Sequence, residues 1–158
     1  MLIIEIENIV SLSPETFVDL DQYSGKWYII AAIPKKIEKN RNFMTESYIK
    51  DRNGNMTVYN TYVRRNKMKV HSFISKGFPQ KGTNNFKWKT QLLWPFKRKY
   101  IIEELPEDYS YAVVGDPNKR YLHILSRSNF MNIDQYLEIV KRCKARGYDI
   151  SKLKRIPQ

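Results

Sequence analysis

The chain is poor in the residues that would declare a function at once. It holds one cysteine, Cys143, two histidines, His71 and His123, and six glycines. A single thiol forms no intramolecular disulfide and no Cys-x-x-Cys metal knuckle. Two histidines, set on different predicted strands, are too few for a triad or a zinc centre. No phosphate loop, dinucleotide fingerprint, nucleophile elbow or His-Glu-x-x-His stretch occurs. The expectation is therefore a non-enzymatic protein with no metal and no cofactor. The apolar start MLIIEIENIV lacks a basic leader region, carries Glu5 and Glu7, and is too short to span a bilayer as a helix. As written, the chain reads as soluble and cytoplasmic.

What the chain does have is positive charge and aromatic rings. Its 158 residues, with 28 Lys plus Arg against 16 Asp plus Glu, carry a formal charge of +12, and aromatics make up 13% of the residues, eleven of them tyrosine. The length suits one domain over residues 1–158, burying roughly two-thirds of its unfolded surface. After an irregular segment to about Val18, eight β-type runs recur, each bounded by turn residues, the pattern of an antiparallel sandwich or barrel. They cover 27–33, 45–50, 56–63, 68–76, 85–92, 100–105, 111–114 and 121–126. Asn53-Gly54 marks a hairpin. One helix is expected over about 133–146: Asn132 is its N-cap, Ile133, Tyr136, Leu137, Val140 and Cys143 form its apolar stripe, and Gly147 follows its end. A last short strand is expected near 153–156.

Three stretches in order carry a family likeness: GKWY (Gly25–Tyr28), LPEDYSYAVV (Leu105–Val114) and YLHILSRS (Tyr121–Ser128). They resemble the signature regions of the lipocalins, and TESYIKDRNGNMTVYN and ARGYDISKL are similar to segments of the bacterial, apolipoprotein D-like subfamily. The resemblance covers about Val18 to Ile156. It implies an all-β fold, an eight-stranded antiparallel up-and-down barrel with one C-terminal helix packed outside. It also implies a structural floor in which Gly25 turns the chain, Trp27 plugs the end and Arg127 lies across the indole. Such a contact contributes about 0.5–2 kcal/mol. Family analogy suggests the periplasm or outer membrane, although the acylated cysteine of the bacterial proteins has no counterpart before Cys143, and Lys97–Lys99 stand where a more neutral loop is expected.

Side chains alternate along a strand. With Trp27 and Arg127 inward, Ile29, Ala31, Tyr121, His123 and Leu125 face inward too. Family alignment and apolar parity add Glu46, Tyr48, Met56, Val58, Asn60, Tyr62, Val70, Ser72, Ile74, Phe86, Trp88 and Thr90. His71 falls on the outer face, and Glu103 and Glu104 receive no face. This apolar and aromatic lining suits a small lipophile. Loops after the first, third, fifth and seventh strands lie at the open mouth and gather Lys35, Lys36, Arg64, Arg65, Lys97, Arg98, Lys99 and Arg120, against Glu38 and Asp116. The expected partner is a fatty acid or lysophospholipid, or an anionic membrane surface on which Trp94 and Phe96 anchor; the protein itself would be a monomer or homodimer.

Bland readings stand beside these. His123 reads more readily as a packed core histidine and Cys143 as helix packing, while Glu46 reads equally as a residue wetted near the mouth and the rim as ordinary solvated surface. A single-stranded nucleic-acid-binding barrel is the rival class, since bases stack on exposed aromatics beside Lys and Arg; inward-pointing aromatics argue against it. A protein-interaction module is the third.

Overall fold

A computed structural model describes residues 17–158. The irregular segment expected over 1–18 lies almost wholly outside the described residues. Nine strands form one antiparallel sheet: β1 (Gly25–Ile33), β2 (Arg41–Lys50), β3 (Met56–Arg64), β4 (Val70–Pro79), β5 (Lys87–Gln91), β6 (Arg98–Glu104), β7 (Tyr111–Gly115), β8 (Leu122–Ser126) and β9 (Lys154–Arg155). Neighbours in sequence pair from β2 to β8, and β1 pairs with both β8 and β2, so the eight-stranded sheet closes on itself. A closed barrel leaves no long unpaired edge. A short helix α1 (Leu20–Tyr23) precedes β1, with Asp19 as N-cap, and α2 (Ile133–Ala145) lies outside the barrel, capped by Asn132 accepting from the Asp134 N–H at 2.8 Å. The hairpin between β2 and β3 is held by Asp51, whose carboxylate accepts from the N–H groups of Asn53 and Asn55 at 2.8 and 3.0 Å.

Apolar packing forms two layers. Inside the barrel lie Trp27, Ile29, Ala32, Tyr48, Met56, Val58, Trp88, Tyr100, Ile102, Val114 and Leu125. Between barrel and α2 lie Ile30, Ala31, Ile33, Val113, Leu122, Ile124, Tyr136, Ile139 and Cys143. Strands β7 and β8, covered on both faces, are buried at every position. Each large apolar side chain so buried contributes about 1.5–3 kcal/mol. The stripe of α2 is rotated from its expected place: Tyr136, Ile139 and Cys143 are buried, whereas Ile133 and Leu137 stand exposed.

Two further expectations on facing are corrected. Along β1 a bulge at Ile30 breaks the alternation, so that Ile29 opposes Leu125 but Ala31 opposes Ile124 and Ala32 opposes His123. A bulge inserts one residue and reverses parity beyond it; Ala31 therefore lies beneath the helix and Ala32 takes the inward place. On β4 the parity is reversed throughout. Its register pairs Tyr62 with His71, Asn60 with Phe73 and Val58 with Ser75, so His71, Phe73 and Ser75 face inward. Val70, Ser72 and Ile74 face solvent, Ile74 at 52% exposure. Apolar residues on the outer face misled the parity, since β-branched side chains are favoured in strands on either face.

A second bulge, in β6, puts the unassigned pair Glu103 and Glu104 under α2. Glu104 is fully buried and is bound by Arg142 and, at 2.8 Å, by Arg146. Glu103 pairs with Lys119 at 3.0 Å and accepts from the Tyr148 hydroxyl at 3.0 Å. These contacts fix the helix to the barrel wall.

Closure at the mouth has its own device. Only the first part of β1, Gly25–Tyr28, pairs with β2; farther up, Ala31 and Ala32 pair with Arg155 and Lys154 of β9. The Pro157 carbonyl then accepts from Phe43 N–H at 2.9 Å, and the Gln158 side-chain amide donates to the carbonyls of Ile29 (2.7 Å) and Met44 (3.0 Å). The tail thus stitches β1 to β2 where they no longer pair directly.

Candidate ligand site in the barrel

The floor is built as the resemblance implies. Gly25 adopts φ +98°, a left-handed conformation that suits glycine. The Arg127 guanidinium lies 3.7 Å from the Trp27 ring centroid and donates to the carbonyls of Gln22 (2.6 Å), Lys26 (3.1 Å) and Tyr109 (3.3 Å). The indole N–H donates to the Tyr23 carbonyl at 2.9 Å.

Above the floor sits a layer of rings. Tyr23 meets Tyr48 edge-on at 5.1 Å and Trp88 at 5.4 Å, and Trp88 stacks on Tyr100 at 5.1 Å. Gly77 makes room for this layer: a β-carbon there would come within 2.9 Å of the Trp88 ring. The hydroxyls of Tyr23 and Tyr100 share a hydrogen bond of 2.7 Å, Tyr48 and Tyr100 one of 3.2 Å, and Tyr48 donates to the Glu46 carboxylate at 2.6 Å. Burial raises the pKa values of these three phenols, which keeps them protonated donors.

The hydroxyl chain ends at Glu46, the register partner of Trp27, and through it meets a charged cluster that reaches up to the mouth loop after β1. His123 Nδ1 lies 3.3 Å from Glu46 and 2.8 Å from the Tyr121 hydroxyl, while Nε2 faces Glu38 at 3.6 Å. Burial alone would lower the His123 pKa, but Glu38 and Glu46 outweigh it and hold the imidazole up to about 9, so it is cationic near neutral pH. Burial likewise opposes the charge on Glu38, yet His123 and Lys35 bring its carboxyl down to about 2. Lys35 lies with its ammonium 4.6 Å from the Tyr121 ring, its pKa lowered chiefly by burial. On the other wall Arg41 covers Tyr62 at 3.9 Å, and Tyr62 stacks on His71 at 5.2 Å.

The structure thus brings Ile29, Glu46, Tyr48, Met56, Val58, Tyr62, Phe86, Trp88 and His123 into the buried interior, joined by the partly buried Tyr121. Asn60 and Thr90, half-buried, share the inward faces of Val58 and Trp88 by register. Ala31 and Ile74 are not among them, for the reasons given above. Of the expected rim, Lys35 leans over the interior, and Arg98 shares the face of Tyr100 and Ile102. Lys36, Arg64, Arg65, Lys97, Lys99 and Arg120 are exposed on the mouth loops or strand ends. Glu38 and His71 were missed as inward residues. Glu38 lies in a 3₁₀ turn, Lys36–Glu38, where no strand alternation applies; its one signal is that it is the sole carboxylate among Lys35, Lys36, Lys39 and Arg41.

The family model described as a Lipocalin-like domain matches residues 18–158. The outer membrane lipoprotein Blc of Vibrio cholerae is 30% identical over 147 residues, spanning 90% of this chain and 84% of that protein. Temperature-induced lipocalin-1 of Arabidopsis thaliana is 28% identical over 148 residues, spanning 89% and 80%. Among solved structures, lobster apocrustacyanin A1 gives a TM-score of 0.67 at 22% identity, over 87% of this chain and 78% of that one. Insecticyanin from the tobacco hornworm Manduca sexta gives 0.67 at 18%, over 89% and 81%. Fold, floor and sequence agree: the chain belongs to the lipocalin family, whose members bind small hydrophobic ligands, and within it to the Blc type.

Proposed function

We propose that the protein sequesters a single-chain lipid with an anionic head, a fatty acid or a lysophospholipid, taken up through the mouth from an anionic membrane surface. The carrying observation is the sorting of side chains along the barrel axis. Rings close the lower half, charged groups line the upper half, and the mouth loops alternate exposed apolar residues with bases. Ile37 follows Lys36; Leu93, Trp94 (85% exposed) and Phe96 (76%) run directly into Lys97, Arg98 and Lys99. Strand β5 pairs only with Lys76–Pro79 of β4, so the rim dips on the side where this loop lies. Exposed aromatics beside lysines suit the headgroup region of a bilayer. Tail burial supplies the affinity, about 0.8 kcal/mol per methylene, and the basic rim selects the head. No covalent chemistry is required. The aromatics that a nucleic-acid platform would need, Tyr48, Tyr62, Phe86 and Trp88, are buried.

Native mass spectrometry of the purified protein, with lipid extraction, tests the ligand class: a bound single-chain acyl species is expected, and failure to hold or take up any sinks the carrier reading. For the surface, replacing Lys97, Arg98 and Lys99 by Gln should weaken binding to vesicles of phosphatidylglycerol and phosphatidylcholine about 100-fold at low salt, from about 1 kcal/mol per base. Unchanged vesicle binding would remove the membrane role.

A further inference from the structure

We infer that Glu38 occupies the ligand's head-group site, standing against His123 and Lys35 where an incoming carboxylate or phosphate binds. This rests on the anionic-lipid reading above. The two carboxylates around His123 are held very differently. Glu46 belongs to β2, accepts from Tyr48 at 2.6 Å and meets Nδ1 at 3.3 Å. Glu38 belongs to a single 3₁₀ turn on a mouth loop, and its two polar contacts are long: 3.6 Å to His123 Nε2 and 3.4 Å from the Lys35 N–H. His123 is 3% exposed, and its Nε2 is buried without a hydrogen bond. A buried donor of this kind, aimed at a displaceable carboxylate, is an anion site filled by the protein itself.

Charge makes the exchange selective. Glu38 and Glu46 balance His123 and Lys35; with Glu38 swung out, one positive charge remains in a place shielded from water. Arg98 and Asp116 also act on Lys35, with opposite signs, and change this balance little. One monoanionic head restores neutrality and gives Nε2–H a close acceptor. An alcohol or ester of the same tail restores neither, because a buried charge left unpaired is costly. Glu38 is thus a specificity latch: it keeps the empty site neutral and yields to an acid but not to a neutral lipid. Its presence also weakens acid binding by the fraction of time the site is already filled.

The test is a fluorescence titration with 11-(dansylamino)undecanoic acid and its methyl ester, on the intact chain and its Glu38→Gln and His123→Gln variants, with circular dichroism to establish that each is folded. Glu38→Gln should bind the acid about tenfold more tightly, the scale of one lost competitor, with the ester unchanged. His123→Gln should lose the preference for acid over ester. Equal gains for acid and ester in Glu38→Gln, or no gain, would overturn the latch while leaving the carrier reading intact. If the intact chain binds neither probe, carrier reading and latch fall together; because Glu38→Gln lies on a partly exposed turn, it keeps the test valid even if His123→Gln does not fold.

Discussion

Floor and mouth of this barrel each carry an arginine stacked on an aromatic ring, and the two are built to different ends. At the floor, Arg127 over Trp27 gives three donors to three backbone carbonyls, so its position is fixed by chain segments far apart in sequence. At the mouth, Arg41 covers Tyr62 at 3.9 Å and Phe73 at 5.3 Å through ring faces alone among the described contacts. The same contact type serves as a rivet at one end and a sliding cover at the other. Hydrogen bonding to a rigid backbone makes the difference, since a cation over a ring constrains distance more than direction.

The largest effect should come from removing the floor plug. Trp27→Ala deletes a fully buried indole and leaves Arg127 over a void; a loss of about 3–5 kcal/mol in urea denaturation is expected. A loss below about 1 kcal/mol would mean that the floor does not carry the fold. Next comes the contrast between the arginines: Arg127→Ala should cost about 2 kcal/mol, combining ring contact and charged hydrogen bonds, and Arg41→Ala less than about 1. Equal losses would erase the distinction between rivet and cover. The most graded effect is pH. His123 is raised in the fold to about 9 from 6.5, so its contribution is fully present below about 6.5 and is lost as pH rises through 9, by no more than about 1.4 kcal/mol per pH unit. Glu38, brought down to about 2, contributes above 4.5 and loses that as pH falls. Thermal melts of the intact chain and His123→Gln between pH 6.5 and 9 should converge; parallel curves would show that the mouth cluster does not stabilise the fold.

The floor was legible in the sequence and the mouth much less so, for a physical reason. Gly25 and Trp27 open β1 before its bulge and Arg127 directly follows the end of β8, so alternation reaches all three without interruption, and their spacing is the family's own. Toward the mouth, alternation fails at named places. A bulge at Ile30 sent Ala31 to the helix side, a second in β6 hid Glu103 and Glu104, and exposed Val70 and Ile74 disguised the parity of β4, which turned His71 inward. Glu38 and Lys35 are ordered by a turn, and turns have no period to read. Of the charged cluster around His123, the strand-borne Glu46 and His123 read as inward, whereas Lys35 and Glu38 read only as mouth residues.

The C-terminal stitch has a meaning in time as well as in space. From β2 to β8 every strand pairs with a neighbour in sequence, so hairpins can form one after another at little entropic cost. The ring itself closes only when β1 meets β8 and Gln158 reaches Ile29, 129 residues away along the chain. That step rewards none of the earlier ones until it is complete, and joining such distant segments slows folding relative to hairpin formation. The aromatic layer inside the barrel is therefore enclosed late, by the contacts that span the longest stretches of chain.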